Sequence, residues 1–354
     1  MTMRFRHVVL AGLALVLVAA RPAAADEYLF NDAHFHMTNY VQEGPSIEQV
    51  LEMMDGKIGR VALFGIPLQQ LWSYRVSGED APKYYLDADT ELYYYSFTDA
   101  FIAMTYRSLK PEQQARFDPM ITGFNPADMY AADHIRRVLT LFPGVFTGIG
   151  EFTIHKEFVS SKVAGEVPSL NDPALDRVLD FCAETGLLPV VHCDIDQPFA
   201  KDGREPVNLR QMKALLERHP KTTTIWAHAG LGRVVDPVAN QVAIVEAMLD
   251  DPAYAHVYFD LSWDEVAKYL VASPQAIERS AGLINRHPDR FLLGTDALSP
   301  ATAAKWMKTY DDYAPLLAKL DPKAREQFLK GNYERLFDGA RKRVRAWEKA
   351  NVPG

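Results

Sequence analysis

Short runs of apolar and β-branched residues recur along the chain, at Tyr28–His36, Arg60–Ile66, Pro119–Phe124, Phe146–Phe152, Leu188–Asp194, Thr222–His228, Val257–Leu261 and Arg290–Asp296. Hydrophobicity that is nearly continuous over so few residues predicts strands buried on both faces. Between these runs, apolar residues return with helical spacing over Ile47–Met54, Ala131–Phe142, Pro173–Thr185, Asn208–His219, Val238–Leu249, Pro274–Arg286 and Ala301–Leu320. The alternation predicts eight parallel strands with helices packed outside them. Eight such units in about 270 residues match a single-domain α/β fold, the (β/α)8 TIM barrel. No glycine-rich turn follows the first run, as a dinucleotide-binding sheet would require.

The step from Leu63 to Ile121 is 58 positions, longer than the other strand-to-strand steps. The surplus, residues 68–117, reads as an insertion between strands 2 and 3, rich in aromatic rings: Trp72, Tyr74, Tyr84, Tyr85, Tyr93, Tyr94, Tyr95 and Phe97. An insertion after a barrel strand lies on the face where barrels build their sites, so these rings either lid a substrate or pack a small core of their own. The Lys- and Arg-rich segment after Leu320 predicts a terminal helix pair covering the barrel.

Residues 1–25 follow a different pattern, in which Arg4 and Arg6 precede the unbroken apolar run Val8 to Ala20 and then Ala23-Ala24-Ala25. A basic, an apolar and a small-residue segment in that order predict a secretory signal cut before Asp26, leaving residues 26–354 as an exported domain, periplasmic or secreted. The run of 13 residues is too short to cross a bilayer and no later one is longer and free of charge, so no stable membrane anchor is expected. Without the signal the chain carries 46 acids and 35 bases, a net charge near −11. That balance argues against a nucleic-acid partner and leaves a small molecule as the expected ligand. Two cysteines, Cys182 and Cys193, make no disulfide scaffold; two buried thiols are expected, with a single bridge as the alternative. Homo-oligomerisation is compatible with the chain, but no residue pattern speaks for it.

Placed on this strand map, the histidines and acids gather. Asp32, His34 and His36 end strand 1, Glu151 strand 4, His192 strand 5, His228 strand 6 and Asp296 strand 8. The C-terminal strand ends of a barrel meet at one mouth, so residues up to 264 positions apart become neighbours. His34 and His36, two apart on a strand, share a face and form a pincer for one ion. Imidazoles mixed with carboxylates suit a borderline divalent metal such as zinc, whereas an oxygen-only cage would suit magnesium or calcium. Burying so many titratable groups without a metal or partners would be very costly. His134, His219, His256 and His287 fall on helices or strand entrances and read as structural or surface residues, while His155, four past Glu151, falls near the mouth.

The runs Asp32-Ala33-His34-Phe35-His36, Gly148-Ile149-Gly150-Glu151, Val191-His192-Cys193-Asp194, Trp226-Ala227-His228-Ala229-Gly230 and Gly294-Thr295-Asp296-Ala297 resemble the signatures of the amidohydrolase superfamily, in particular its amidohydrolase-related, metal-dependent TIM-barrel hydrolases. The closing Gly331-Asn332-Tyr333-Glu334-Arg335-Leu336-Phe337 is similar to a tail common there. The resemblance implies that His34, His36, His192 and Asp296 bind a first metal. It makes His228 a catalytic acid/base, a carbonyl-polarising group or a ligand of a second ion. Some relatives use a strand-4 glutamate such as Glu151 to bridge two metals and others hold one; the expectation is one zinc, with two as the alternative.

A divalent ion lowers the pKa of its water from about 15.7 toward 7. Asp296 is placed to take that proton and return it to the leaving group, and His228 to polarise the carbonyl. The expected activity is hydrolysis of a C–N or C–O bond in an amide, lactone or ester. Two rivals remain open. A zinc-dependent nonoxidative decarboxylase of an aromatic or unsaturated acid would need a cation for the substrate carboxylate, for which Arg75 and Lys156 are candidates. A metal-dependent binding protein would lack turnover.

Overall fold

The computed structural model describes residues 28–353 apart from 40–41, 67–96, 157–167, 202, 236 and 238–239. Nine strands run parallel: β1 (Phe30–His36), β2 (Ile58–Phe64), β3 (Phe117–Ile121), β4 (Gly148–His155), β5 (Leu188–Cys193), β6 (Thr224–Trp226), β7 (Val257–Leu261), β8 (Phe291–Leu293) and β9 (Ala297–Leu298). They pair in the order β8-β7-β6-β5-β4-β3-β2-β1-β9. Because β9 follows β8 by three residues and pairs with β1, the chain carries the last strand back to the first and the sheet curls into the expected TIM barrel.

The helices begin where local chemistry starts them. Ser46 caps Ile47–Met54 in a capping box with Gln49. Asp172 and Ser273 cap Pro173–Thr185 and Pro274–Arg286, each with proline in its first turn, and Gly186 ends the former at φ 80°. The expected helix Ala301–Leu320 is divided into Ala303–Asp312 and Ala314–Leu317, since Pro315 has no N–H to continue the ladder.

Two layers of packing result. Outward strand residues such as Phe35, Val61, Ile149 and Phe259 meet the helix faces. A second cluster, Ala33, Ala62, Phe64, Met120, Leu188, Val190, Ile225, Ala227 and Leu292, fills the barrel's interior. Gly148 is needed in that lining: a Cβ there would lie 2.2 Å from the Leu188 carbonyl oxygen and 2.5 Å from Met120 Cε.

The expected terminal helix pair is Pro322–Glu326 and Asn332–Asn351, joined by a π-turn over Gln327–Gly331. Tyr333, Leu336, Phe337 and Ala340 from the second helix belong to the interior cluster and close the base of the barrel. Tyr333 also donates to the buried Asp118 carboxylate at 2.8 Å, which Arg60 and Arg341 meet at 2.8 and 2.7 Å, fastening this helix to β2 and β3.

Residues 1–25, read as a signal, lie outside the described residues, as do Arg75 and most of the rings of the expected 68–117 insertion. Of that stretch, Thr98–Arg107 forms a helix with Ile102 and Ala103 in the core, as a barrel helix would, and Phe117 already begins β3. Among the described residues, no helix is long and apolar enough to cross a membrane. Cys182 and Cys193 are buried and unbridged.

Candidate active site

Among the described residues, five segments deliver charged or imidazole side chains to the C-terminal mouth. β1 brings His34 and His36, whose rings meet the Phe64 ring edge-on at 5.0 and 5.2 Å. β4 brings Glu151, which lies inside that strand, since β4 continues to His155. His228 and Asp296 were expected to end strands 6 and 8. Both instead stand just past strands that stop early, at φ 57° and 51°, a left-handed backbone that a strand cannot accommodate. This turn lets each side chain face the barrel axis.

The groups converge closely. His36 Nε2 and His34 Nε2 lie 3.2 and 3.4 Å from Asp296 Oδ1, and 3.6 and 3.9 Å from Glu151 Oε2. His228 Nε2 is 3.3 Å from Glu151 Oε1 and 3.8 Å from Asp296 Oδ2. Ligand atoms of His34, His36 and Asp296 fall within 4.8 Å of one another, as do those of His34, Glu151 and His228. Both sets are buried, apart from a small exposure of Asp296. His34 Nε2 and His228 Nε2 are enclosed without a hydrogen-bond partner, so the donor set fits a cation.

The opposite ends of these rings are anchored. His34 Nδ1 lies 3.0 Å from Asp260 Oδ2, and His36 Nδ1 lies 2.8 Å from the Gly65 carbonyl oxygen. His228 Nδ1 lies 2.7 Å from Ser262 Oγ. Electrostatics follow the same layout. Burial pushes the Glu151 carboxyl up, but Lys156, His192 and His228 outweigh it and hold the group well below its usual value. Burial also opposes ionisation of Asp296, and His34, His36 and His228 overcome it to hold that carboxyl down. For His34 burial lowers the basicity, and Asp296 and Asp260 more than restore it. His228, with burial dominant, is held below its ordinary value.

His192 reaches the same mouth in a different posture. Its Nδ1 lies 2.6 Å from Glu151 Oε1 and its Nε2 3.0 Å from Asp194 Oδ1, so both nitrogens are engaged and neither joins the clustered ligand atoms. Asp32 was expected at the mouth, where it ends strand 1 with His34 and His36, but its carboxylate is bonded elsewhere and does not join the clustered ligand atoms. Register shifts in the β1–β2 pairing on either side of Asp32 break the alternation. Its carboxylate accepts from the His34 and Thr295 amides at 3.0 and 2.9 Å, from Thr295 Oγ1 at 2.5 Å and from Trp306 Nε1 at 2.7 Å. Asp32 therefore ties β1 to the segment that carries Asp296, whose own N–H donates to the His34 carbonyl at 2.7 Å.

His134, His219, His256 and His287 sit away from the mouth, facing Asp99, Asp176 with Asp180, the Leu216 carbonyl and Asp250. His155 ends β4, half-buried in the field of Asp194, outside the clusters. Sequence reading missed Asp260 and Ser262, whose signal was an acid and a hydroxyl at the end of the apolar run Val257–Leu261. It also missed Trp263, whose ring lies 5.4 Å from that of His228 and is approached by Lys156 at 4.9 Å and Arg233 at 5.5 Å.

A parallel barrel with acids and imidazoles gathered at the C-terminal mouth is the layout of a barrel enzyme. The amidohydrolase family model matches residues 32–339, and the chain belongs to that family of enzymes. No curated protein matches the chain significantly. Among solved structures, it is similar to a Pseudomonas putida protein described as a candidate 2-pyrone-4,6-dicarboxylic acid hydrolase, at 12% identity and a TM-score of 0.52, covering 88% of this chain and 98% of that one. It is also similar to an amidohydrolase from Burkholderia multivorans with bound zinc, at 13% identity and a TM-score of 0.50, covering 88% and 99%. At those identities the likeness concerns the fold.

Proposed function

We propose that the chain is an exported metal-dependent hydrolase that cleaves a C–N or C–O bond of a small amide, lactone or ester. The observation that carries this reading is the buried convergence of His34, His36, Asp296, Glu151 and His228, with two imidazole nitrogens left without hydrogen-bond partners. His34, His36 and Asp296 would hold a divalent ion, zinc by donor type, with Glu151 beside them. One ion rather than two is favoured because His34 is common to both ligand sets while its Nδ1 is taken up by Asp260. When bound, such an ion supplies Lewis acidity that makes water a nucleophile at neutral pH and polarises a carbonyl.

The protein's own groups handle the protons. Asp296, kept ionised by three imidazoles, accepts a proton from the attacking water and returns it to the leaving group. His228, 3.8 Å from Asp296, is the second group able to take and return one. Trp263 and the barrel wall exclude bulk water from that exchange. Export rests on the Arg4, Arg6 and Val8–Ala20 pattern of the first 25 residues.

A decarboxylase reading has one observation in its favour, the Lys156 ammonium beside Trp263, which could meet a substrate carboxylate. Metal content of wild type and of His34→Ala/His36→Ala, followed by proton, amine and CO2 release across a panel of amides, lactones, esters and carboxylic acids, separates the readings. About one equivalent of metal in wild type and none in the double variant is expected, with a proton released from an ester or lactone, or an amine from an amide, and no CO2; CO2 release would establish decarboxylation. Negligible metal in both proteins would refute metal dependence.

A further inference from the structure

The hydrogen atoms around Asp260 and Ser262 follow by elimination. Asp260 Oδ1 accepts the His228 backbone N–H at 2.9 Å and lies 2.5 Å from Ser262 Oγ; its Oδ2 lies 3.0 Å from His34 Nδ1. An ionised carboxylate has no hydrogen to give, so His34 Nδ1 carries a proton and donates it. Ser262 has one hydroxyl hydrogen. Its shortest contact is the 2.5 Å approach to that carboxylate, a charge-assisted bond that outcompetes a neutral acceptor. With its hydrogen committed to Asp260, Ser262 meets His228 Nδ1 at 2.7 Å only as an acceptor, so His228 Nδ1 must also carry a proton. The remaining contact, Ser262 Oγ to His34 Nδ1 at 3.3 Å, is longer and consistent with that arrangement. On β1, the Gly65 carbonyl at 2.8 Å makes the same demand of His36 Nδ1.

We propose that Asp260 and Ser262 are a positioning pair that keeps a proton on Nδ1 of both His34 and His228, so that each ring, when neutral, presents Nε2 to the site as an acceptor. All four residues are fully buried, and no water competes for these hydrogens. The proposal deepens the hydrolase reading and rests on it for its catalytic consequence. It also narrows the role of His228. A ring whose Nε2 has no hydrogen cannot polarise a carbonyl by donation; it must accept first, a metal or a proton. Asp260 meets the His34 ring directly through Oδ2 and the His228 ring through Ser262, so two side chains at the end of β7 orient both the His34 and the His228 rings.

The test is the nitrogen-15 spectrum of histidine-labelled full-length protein, which separates Nδ1–H from Nε2–H imidazoles, read on chelator-treated wild type, Ser262→Ala and Ser262→Thr. Wild type is expected to show His228 as Nδ1–H. Ser262→Ala should convert it to the Nε2–H form, and Ser262→Thr, which keeps the hydroxyl, should restore it. With metal returned, kcat should fall in Ser262→Ala by about 10–100-fold, the scale of support lost around a metal-site histidine, with KM nearly unchanged. If Ser262→Ala does not fold, Ser262→Cys, nearly isosteric and a poor acceptor for the His228 Nδ1–H, gives the same reading. An Nε2–H form of His228 in wild type, or a tautomer unmoved by Ser262→Ala, overturns the proposal. The spectrum needs neither metal nor turnover, so an inactive or metal-free wild type that shows the tautomer change would refute the hydrolase reading and leave the positioning pair standing.

Discussion

Replacing Asp32 by asparagine removes one acceptor oxygen from a carboxylate that serves four donors. Asparagine Oδ1 can keep the two amides of His34 and Thr295. Its NH2 group would then face the Thr295 hydroxyl and the Trp306 indole N–H. The hydroxyl can rotate and accept, but the indole can only donate, so it is left buried and unpaired. Losing a hydrogen bond to a charged group costs about 1.5–3 kcal/mol and an unsatisfied buried donor about 1–3, which together give about 3–5 kcal/mol. For a domain of this size, at about 2 °C per kcal/mol, thermal unfolding should move down by about 6–10 °C. Trp306→Phe keeps the ring stacked 3.9 Å from Phe35 and removes only the donor, so its shift should be smaller. Because the Asp296 N–H and the His34 carbonyl bond across the same seam, metal content should fall along with stability in Asp32→Asn. Calorimetry with elemental analysis on the three proteins reads both effects. An Asp32→Asn protein that unfolds within about 2 °C of wild type would refute the claim that this carboxylate ties β1 to the β8–β9 turn.

Asp296→Asn should lower turnover by about 10²–10⁴-fold with the fold intact by circular dichroism; retained activity would remove Asp296 from the proton path. Tyr28 donates to Glu334 at 2.7 Å, and burial with that carboxylate pushes its hydroxyl up to about 12. Unfolded, it ionises near pH 10, so its contribution to stability is complete below about pH 10 and is lost as the pH rises through about 12. Denaturant titrations across that window should slope less in Tyr28→Phe. Burial raises the thiols of Cys182 and Cys193, so neither should react with a thiol reagent until the protein is denatured, and both should then react without prior reduction.

The barrel was legible in the sequence because parallel strands buried on both faces write themselves as continuous apolar runs, and the helix ends carry their own caps at Ser46, Asp172 and Ser273. The mouth was legible through its exceptions: His34, His36, Glu151, His228 and Asp296 interrupt runs that should be apolar. What period-two counting could not reveal were departures from it. Asp32, flanked by shifts in register, spends its carboxylate on the Thr295 and Trp306 donors rather than at the mouth, and His228 and Asp296 depend on left-handed turns rather than strand ends. His192 lay on the right strand, but which way its nitrogens turn depends on Asp194 and Glu151, a competition decided only in three dimensions. Asp260 and Ser262 were passed over because neither falls in a histidine-bearing run, although an acid inside Val257–Leu261 is the same kind of exception.

The helix that plugs the base of the barrel also sets a timetable. A ribosome releases residues in chain order, and Tyr333, Phe337 and Ala340 emerge after every strand they cover. Until then the interior lined by Ala33, Phe64, Leu188 and Ile225 is open to water at one end. The growing chain therefore has no means of completing its inner core partway through synthesis, and the last long helix acts as the closing step of folding. During that interval the strands remain within reach of chaperones and proteases.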